Sequence, residues 1–251
     1  MRHYFDLVLY NALAELKAEH SRSMAGYLWW VFEPLMTLGV YYFVFGFFRP
    51  PGEGNFIVFL FTGIIFWRWF HAAVMRSVTS LEMSRSLMLQ VNLNKSIPPL
   101  SIVIIDSIKF IVTLALLLCT VFLTGGTVTA AWAQLPFLLA TQFFLIIGCS
   151  LLVSGIPPLF QDFTHILNTM MMLMMFSSGL FYSLDILPEK VQTVLMFNPM
   201  AVLIDQYRRV FLDGESIELV PMTIVWVEVA VVFILGAGLL KKFDKVYPKI
   251  S

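Results

Sequence analysis

The chain has 251 residues, of which 59% are hydrophobic and only 13% are charged, and its formal net charge is zero. A soluble domain carries roughly 25% charged residues, so this composition excludes a soluble protein and predicts an integral membrane protein. The zero net charge argues against nucleic acid as a partner, because binding nucleic acid needs a basic surface. Cys119 and Cys149 lie in apolar runs without metal-ligand spacing, which predicts small apolar fillers.

The first predicted element is an amphipathic helix over residues 4–20. Its apolar residues recur at helical spacing, at Phe5, Val8, Ala12 or Leu13, and Leu16. This pattern predicts a helix lying along the cytoplasmic leaflet, in preference to a soluble linker. The segment has neither a long apolar core nor a small-residue cleavage site, so we do not expect a removable signal peptide.

Six apolar runs follow, each long enough to cross a bilayer, which takes about 20 residues. They lie at residues 27–48, 56–75, 100–123, 135–153, 166–184 and 219–240. An even number of spans places both termini on one side of the membrane. With that side in the cytoplasm, only Arg49, Lys190, Arg208 and Arg209 fall outside, as the positive-inside rule requires. The predicted fold is an all-α membrane protein with six transmembrane helices.

Ionisable residues within these runs are Glu33, Arg68, Asp106, Lys109 and Glu228. Each costs about 2.5–3.5 kcal/mol at the centre of an isolated helix, so each needs a partner or a function. Asp106 and Lys109 are three residues apart and share a helix face, and Glu33 and Arg68 are suited to a cross-span pair. We favour structural pairing over ion coupling, because no internal repeat or continuous relay is visible.

Two cytoplasmic connections are suited to docking a soluble partner, although both can be simple connectors. In the first, residues 81–99, an apolar middle at 87–93 is too short to span and ends at Pro98 and Pro99. The second covers residues 154–165. The apolar content of the first connection favours docking.

Residues 181–214 lie between two apolar runs but match neither a span nor a hydrophilic loop. Pro188 opens one short amphipathic piece, and Asn198, a good N-cap, opens a second with Pro199. Gly214 supplies a helix stop. Both pieces are too short to span, so we predict a re-entrant helical hairpin on the outer face, acting as a gate over a pathway.

The sequence favours no enzymatic chemistry. It contains no GxxxxGK[ST] phosphate loop, and its histidines are dispersed without an HExxH pattern, so we expect neither Walker-type ATP binding nor a metal site nor a cofactor. The Ser-Gly pairs near residues 154 and 178 invite comparison with an intramembrane serine protease. No histidine lies in the fourth or sixth run to serve as the base, and small residues at helix contacts explain these pairs better.

Three segments together are similar to a known family. Residues 21–35 read SRSMAGYLWWVFEPL, residues 61–100 run from a Gly63…Trp67 span into Asn94-Lys95 and prolines, and residues 162–214 contain Asp162-Phe163, Leu187-Pro188-Glu189, Asn198-Pro199 and Tyr207-Arg208-Arg209. The chain resembles the membrane subunit of an ABC exporter of the type-2 permease family. The similarity is greatest to the branch that exports polysaccharides such as O-antigen, capsule or teichoic acid.

The resemblance implies a homodimer with two copies of a separate P-loop ATPase, moving lipid-linked polysaccharide across the bacterial inner membrane through a channel at the dimer interface. It implies one permease domain over residues 1–251. Its parts are a cytoplasmic interfacial helix (1–25), spans one to five (26–184), an outer gate hairpin (185–216), span six (217–241) and a cytoplasmic tail (242–251).

The resemblance also implies roles for particular residues. Those expected to receive the ATPase motion are Tyr4, Phe5, Val8, Leu87, Leu89, Val91, Asn94, Lys95 and Asp162. Those expected in the gate are Pro188, Asn198, Pro199, Tyr207, Arg208 and Arg209. Aromatic residues suited to stacking on sugars are Trp29, Trp30, Tyr41, Tyr42, Trp67 and Trp69, and a lipid-interface belt explains Trp29 and Trp30 equally well.

Three other functions stay open at this point. A drug or small-lipid exporter would use the same permease scaffold. A channel would need no ATPase partner, and an intramembrane enzyme would lose its activity on substitution of a single Ser or His.

Overall fold

The structure is a computed structural model that describes residues 2–22, 26, 28–46, 55–90, 94–157, 160 and 162–242. Residues 2–6, 18–22 and 87 are described by their backbone alone. Every regular element within these ranges is helical.

The α-helices are α1 (Arg2–Arg22), α2 (Leu28–Gly46), α3 (Phe56–Val78), α4 (Ser80–Met83), α5 (Arg85–Gln90), α6 (Ile97–Leu123), α7 (Leu135–Ser154), α8 (Phe163–Ser177), α9 (Glu189–Leu195), α10 (Pro199–Arg208) and α11 (Leu219–Lys242). A 3-10 turn precedes α7, a second precedes α9, and a π-helical turn, Arg209–Asp213, extends α10.

In the described part of the chain, five helices are long and apolar enough to cross a membrane: α2, α3, α6, α7 with its preceding turn, and α11. The run predicted at residues 166–184 differs, because α8 ends at Ser177 after 15 residues. Gly179 follows in the left-handed region, at a φ of 67°, and ends the helical path. Since 15 residues of helix rise only about 22 Å, α8 alone is shorter than a hydrocarbon core of about 30 Å.

The prolines at 98 and 99 open a helix instead of ending the connection before it. α6 begins at Ile97, three residues earlier than predicted, and both prolines occupy its buried first turn. Proline is tolerated there because the first amide groups of a helix have no partner within the helix. The preceding short helix, α5, covers Arg85–Gln90.

α3 is the central helix of the bundle. It packs against α2, α6, α7, α8 and α10, and its aromatic residues Phe61, Phe66 and Phe70 are fully or almost fully buried. The Gln142 side chain of α7 donates a 2.8 Å hydrogen bond to the Phe66 carbonyl oxygen, which joins the two helices in the core.

α7 and α11 are close neighbours that run in the same direction. The Trp226 indole lies 3.4 Å from the Thr141 hydroxyl, and further along both helices Gly236 packs on the backbone of Leu152. The residue numbers of the contacting positions increase in the same direction along both helices, so the helices are parallel. The chain must therefore return to its starting end between Ser154 and Leu219.

The N-terminal helix is present, and its predicted apolar face is covered by protein. Val8, Ala12 and Leu16 are buried, and α1 packs on α6, where the Ser101 hydroxyl donates to the Val8 carbonyl oxygen at 3.2 Å. Of the two alternatives at this spacing, Ala12 is buried on this face, whereas Leu13 is 53% exposed. The position of α1 in the membrane interface stays a prediction.

Candidate functional site

A cavity of about 600 Å³ lies between α2, α3 and α8 and is called here the central cavity. Its wall includes Tyr41, Trp67, His71, Asn168 and Thr169. Aromatic rings beside amide and hydroxyl groups suit a ligand with apolar faces and many hydroxyl groups, such as a carbohydrate.

A second cavity, of about 450 Å³, lies between α2, α3 and α6 and is called here the charged cavity. Glu33, Arg68, Asp106 and Lys109 line it. The predicted cross-span pair is confirmed, because the Arg68 guanidinium lies 2.9 Å from the Glu33 carboxylate. The Lys109 ammonium lies 4.0 Å from the Asp106 carboxylate, as the shared helix face predicts. Arg68 also lines the central cavity, so the two cavities share a wall.

Arg76 also belongs to this charge group, although the sequence pattern did not indicate it. Arg76 Nη1 lies 2.6 Å from Asp106 Oδ1, and its Nη2 lies 3.0 Å from Glu15 Oε1, so one guanidinium joins α3, α6 and α1. Arg76 falls one residue beyond the run predicted at residues 56–75. Arg76 lies two helical turns after Trp69, so it shares the face of α3 from which the Trp69 indole donates to Ser107 on α6.

Glu228 stands apart from the other intramembrane charges. It lies on α11, on the wall of neither cavity. Its Oε2 atom is buried and has no hydrogen-bond partner among the described residues. The structure therefore brings four of the five predicted intramembrane charges together and leaves Glu228 outside that group.

The predicted aromatic residues divide into buried and exposed groups. Trp69 is buried and stacks on Phe110 at 4.1 Å between ring centres, and Trp67 is also buried. The Lys109 ammonium lies over the Trp30 ring, 5.7 Å from the ring centre. Trp29 and Tyr42 are 52% and 46% exposed on α2. Tyr41 meets the Phe181 ring edge-to-face at 5.0 Å.

The two short helices predicted between residues 181 and 214 are present as α9 and α10. Pro188 immediately precedes α9, and Pro199 is the first residue of α10. The Asn198 side chain accepts a 3.1 Å hydrogen bond from the Met200 amide, so its predicted role as N-cap is confirmed. Gly214 follows the π-helical turn with a φ of 67°, as its predicted role as a stop requires.

Arg208 is buried, with only 5% of its surface exposed, and it holds backbone oxygens from two segments. Its guanidinium donates to the carbonyl oxygens of Gly179 at 2.6 Å, Leu180 at 2.8 Å and Tyr182 at 3.3 Å, and to that of Phe59 at 3.3 Å. Burial lowers the pKa of Arg208 to about 9, so the side chain is still a cation at neutral pH. Arg208 thus fastens the turn after α8 to the start of α3.

The residues on either side of Arg208 have different surroundings. Tyr207 is fully buried, and its ring stacks on that of Phe66 with 3.5 Å between centres. Arg209 lies nearer the surface and pairs with Glu215 at 2.7 Å and Glu218 at 3.0 Å. Tyr207 and Arg208 therefore belong to the core, whereas Arg209 belongs to a surface ion network.

Acidic groups near this end carry raised pKa values. Burial raises the pKa of Asp205 to about 6, and the nearby Asp185 carboxylate raises it as well, against the lowering effect of Arg208. Burial and the neighbouring Glu215 raise the pKa of Asp213. These groups bind protons at a higher pH than ordinary carboxylates do.

The predicted coupling residues lie at the opposite end of the bundle, and the structure joins only some of them. Val8 belongs to a buried cluster with Leu81 and Met88, so α1 meets the α4–α5 segment there. Leu89 is 63% exposed, whereas Lys95 is buried. Asn94 and Asp162 are exposed, Val91 lies outside the described residues, and the side chains of Tyr4, Phe5 and Leu87 are not among those described.

The model of a family described as "ABC-2 type transporter" matches residues 10–212. An O-antigen export system permease protein, RfbA, from Klebsiella pneumoniae is 29% identical over 211 residues, covering 84% of this chain and 82% of the relative. RfbA from Myxococcus xanthus is 25% identical over 221 residues, covering 87% and 85%. The capsule polysaccharide export inner-membrane protein CtrC from Neisseria meningitidis serogroup B is 25% identical over 249 residues, covering 93% and 89%.

Proposed function

We propose that the chain, which belongs to the ABC-2 type transporter family, is the channel-forming membrane subunit of an ATP-driven exporter of lipid-linked polysaccharide. The observation that carries the proposal is the family match over residues 10–212, which extends from α1 to the end of α10. Relatives named as O-antigen and capsule export proteins supply the substrate class and the inner membrane as the location. The chain itself is a permease in this proposal, and a separate subunit hydrolyses ATP.

The proposed topology has six passes and two cytoplasmic termini, with α8 as the fifth pass. Since α7 and α11 run in parallel, one element must bring the chain back between them, and α8 is the longest helix in that interval. Fifteen residues with the non-helical turn that follows are enough for a short pass in a locally thinned or partly protein-lined region. The proposed domain boundaries are those that the resemblance implies.

A second copy of the chain is proposed to complete the pathway. α2 and α8 are the two outer walls of the central cavity, and both carry large exposed apolar side chains, including Phe32, Phe43, Met172 and Phe176. Pairing two copies along these helices would cover that surface and place the two central cavities beside one shared channel. Tyr41 and Trp67 would then offer ring faces to sugars.

Motion from the ATPase is proposed to enter at the end formed by α1, α4 and α5. The buried cluster that contains Val8 and Met88 ties α1 to α5, and Arg76 ties α1 to α3 and α6. A push on the exposed side of α5 would therefore reach the central helix through packed side chains and ion pairs. Leu89 is the exposed apolar contact on that side.

The gate is proposed to be the α9–α10 hairpin at the opposite end, dipping into the outer face of the membrane. Within it, α9 is the moving part, since α10 is fastened to α3 through Tyr207 and Arg208. α9 exposes Val191 and Val194, and Phe197 follows it, so little protein surface holds this helix in place.

Purification tests the proposed function directly. The tagged full chain would be isolated from its native host in a gentle detergent shown to preserve known membrane complexes, and everything that co-purifies would be identified by mass spectrometry. We expect a P-loop ATPase in equal amount and a bound glycolipid. A bound drug or simple lipid in place of the glycolipid would favour a different exporter, and a lone protein would contradict the exporter proposal.

A further inference from the structure

We propose that Glu228 binds a proton and is a neutral carboxylic acid at the lipid-facing side of α11, where apolar carbodiimides modify it. The other four predicted intramembrane charges line the charged cavity together, whereas Glu228 lies on the wall of neither cavity. The inference goes beyond the proposed function, because it concerns a surface outside the transport pathway.

The depth of Glu228 is the first argument. It is the tenth residue of α11, which is long and apolar enough to cross the membrane. At 1.5 Å of rise per residue, Glu228 lies about 14 Å from one end of the helix and about 21 Å from the other. In a hydrocarbon core about 30 Å thick, both distances place the carboxyl group well inside the apolar layer.

The absence of a cation around Glu228 is the second argument. Its Oε2 atom is buried without a hydrogen-bond partner, and no ion pair joins Glu228 to another residue of the described part of the chain. α11 packs mainly on α7 and α10. The titratable residues on these two helices are Cys149 on α7 and Asp205, Tyr207 and Arg208 on α10. The Arg208 guanidinium donates to four backbone carbonyl oxygens instead.

An unpaired carboxylate is the least favourable form of this side chain in lipid. An ionised group without a cation or a hydrogen-bond donor is strongly disfavoured in an apolar medium, and it takes up a proton instead. Glu33 and Asp106 provide the contrast. Arg68 lies 2.9 Å from Glu33, and Arg76 lies 2.6 Å from Asp106. These two carboxylates therefore have the cation that stabilises their ionised form, and Glu228 does not.

Glu228 can be reached from the lipid. The residue is partly exposed, and its neighbours Val227 and Val231 are 63% and 48% exposed. Because Glu228 lines neither cavity, a reagent must approach it through the apolar layer. The site therefore selects small apolar reagents and excludes charged ones, which do not enter hydrocarbon.

The bound proton makes Glu228 reactive towards a carbodiimide. The proton passes to one carbodiimide nitrogen while a carboxyl oxygen forms a bond to the central carbon, which gives an O-acylisourea. The acyl group then moves from that oxygen to the other nitrogen and leaves a stable N-acylurea. The overall reaction is an addition without a leaving group or a change in oxidation state. An ionised, paired carboxylate lacks the proton that the first step needs.

Chemical labelling tests the site. Dicyclohexylcarbodiimide would be added to membranes that contain the full chain at about pH 8, where Asp205, with a pKa of about 6, is ionised. Peptide mass spectrometry would locate the N-acylurea. We expect at least about tenfold more modification at Glu228 than at Glu33 or Asp106, because the paired carboxylates lack the proton. A water-soluble carbodiimide with glycine methyl ester should modify Glu189, which is exposed on α9, and leave Glu228 unmodified.

Infrared spectra of the purified chain at the same pH give a readout that does not depend on the access of a reagent. The C=O stretching band of a protonated carboxylic acid should be present, and Glu228→Gln should remove it. Glu33→Gln is the matched control and should keep the band. A band of unchanged intensity in Glu228→Gln would overturn the proposal. Labelling of Glu33 or Asp106 equal to that of Glu228 would overturn it as well.

Discussion

Arg208 and Arg209 are adjacent in sequence and were both predicted to be gate residues, yet they make different kinds of contact. Arg208 is buried and satisfies carbonyl oxygens of two segments, whereas Arg209 pairs with surface carboxylates. Gly63 makes the Arg208 contact possible, because a Cβ there would lie 3.0 Å from the Arg208 guanidinium. The two positions therefore form a natural pair for separating a role in folding from a role in gating.

Arg208→Met should strongly reduce the yield of folded protein. It leaves several buried carbonyl oxygens without a donor, and unsatisfied buried groups cost about 1–3 kcal/mol each. Arg209→Met, which removes only exposed ion pairs, should change stability by about 1 kcal/mol or less. Size-exclusion profiles and melting temperatures of the two variants in detergent would check this. A monodisperse, normally stable Arg208→Met protein would contradict the role of Arg208 in holding the turn after α8 to the start of α3.

Asp205 provides a test based on pH. Its pKa of about 6 is raised above that of an unfolded aspartate, so the native state binds the proton more tightly. The stability of the original chain should accordingly fall as the pH rises from about 4 to 6 and then level off. Asp205→Asn should remove the part of this dependence that comes from Asp205 and leave the part that comes from Asp213.

The rise in the Asp205 pKa from 3.8 to about 6 corresponds to about 3 kcal/mol. At pH 7.5 we therefore expect Asp205→Asn to melt about 6–12 °C higher than the original chain, given about 2–4 °C per kcal/mol in a chain of this size. At pH 4.5 the two melting temperatures should converge. Melting temperatures of both proteins, measured by intrinsic fluorescence across this pH range, would test the prediction. Parallel plots of melting temperature against pH for the two proteins would exclude Asp205 as the titrating group.

The contact between α7 and α11 depends on small residues. A Cβ at Gly236 would lie 2.8 Å from the Leu152 amide nitrogen and 3.0 Å from the Gly148 carbonyl oxygen, both backbone atoms. In lipid, packing is the main force that holds apolar helices together, so close backbone approach matters more than in water. This contact also fixes the parallel orientation from which the fifth pass is inferred.

Gly236→Ala should destabilise the protein by about 1–3 kcal/mol, because the two helices must move apart. Gly238→Ala is the control on the same helix. A Cβ at Gly238 meets nothing within 4 Å. Replacing glycine by alanine in a helix gains about 1 kcal/mol in helix propensity, so Gly238→Ala should be neutral or stabilising. Melting temperatures in detergent give the comparison, and equal values for both variants would show that α7 and α11 are not in close contact.

The α5 helix is the element through which coupling can be tested without damaging the core. Pro98 and Pro99 are buried in the first turn of α6, so changing them would disturb folding, whereas Leu89 is exposed. Leu89→Asp should leave the permease folded but reduce export at least about tenfold, since a charge would be buried at the ATPase contact. Val128→Asp, at an exposed apolar position near the opposite end, is the control. Normal export by Leu89→Asp would remove α5 from the docking surface.

At the scale of the whole molecule, the number of passes decides where each functional surface faces. Five long helices alone would put the termini on opposite sides, and the addition of α8 puts them on the same side. The proposed docking surface and gate require the second arrangement. In it, α1 and the end of α11 face the cytoplasm, and α9 faces outward.

Single cysteines at three exposed lysines test this topology after Cys119 and Cys149 are replaced by alanine. Lys17→Cys and Lys241→Cys should react with an impermeant maleimide only after the inner membrane is opened, and Lys190→Cys should react in intact spheroplasts. The positions lie on α1, α11 and α9, and all are exposed. Labelling of Lys17 and Lys241 from opposite sides would contradict the six-pass topology.

The sequence alone determined the class of the protein and much of its local structure. An apolar run of about 20 residues must be helical in lipid, because every backbone group needs a partner within its own segment. The sequence likewise predicted the Asn198 cap, the apolar face of α1 and the Glu33–Arg68 pair. Each of these follows from residues that are close in sequence or from the high energy of a charge in an apolar layer.

Only the tertiary structure decided that Arg76 joins the charge group and that Arg208 is buried among backbone carbonyl oxygens. The same sequence signal, a cation next to an apolar run, describes Arg76, Arg208 and Arg209, although one bridges three helices, one is buried against carbonyl oxygens and one lies near the surface. The early end of α8 at Ser177 was equally hidden, because residues 178–184 are apolar enough to continue a helix. Burial, partners and the place where a helix ends depend on segments far apart in the chain, and local spacing carries no information about how those segments pack.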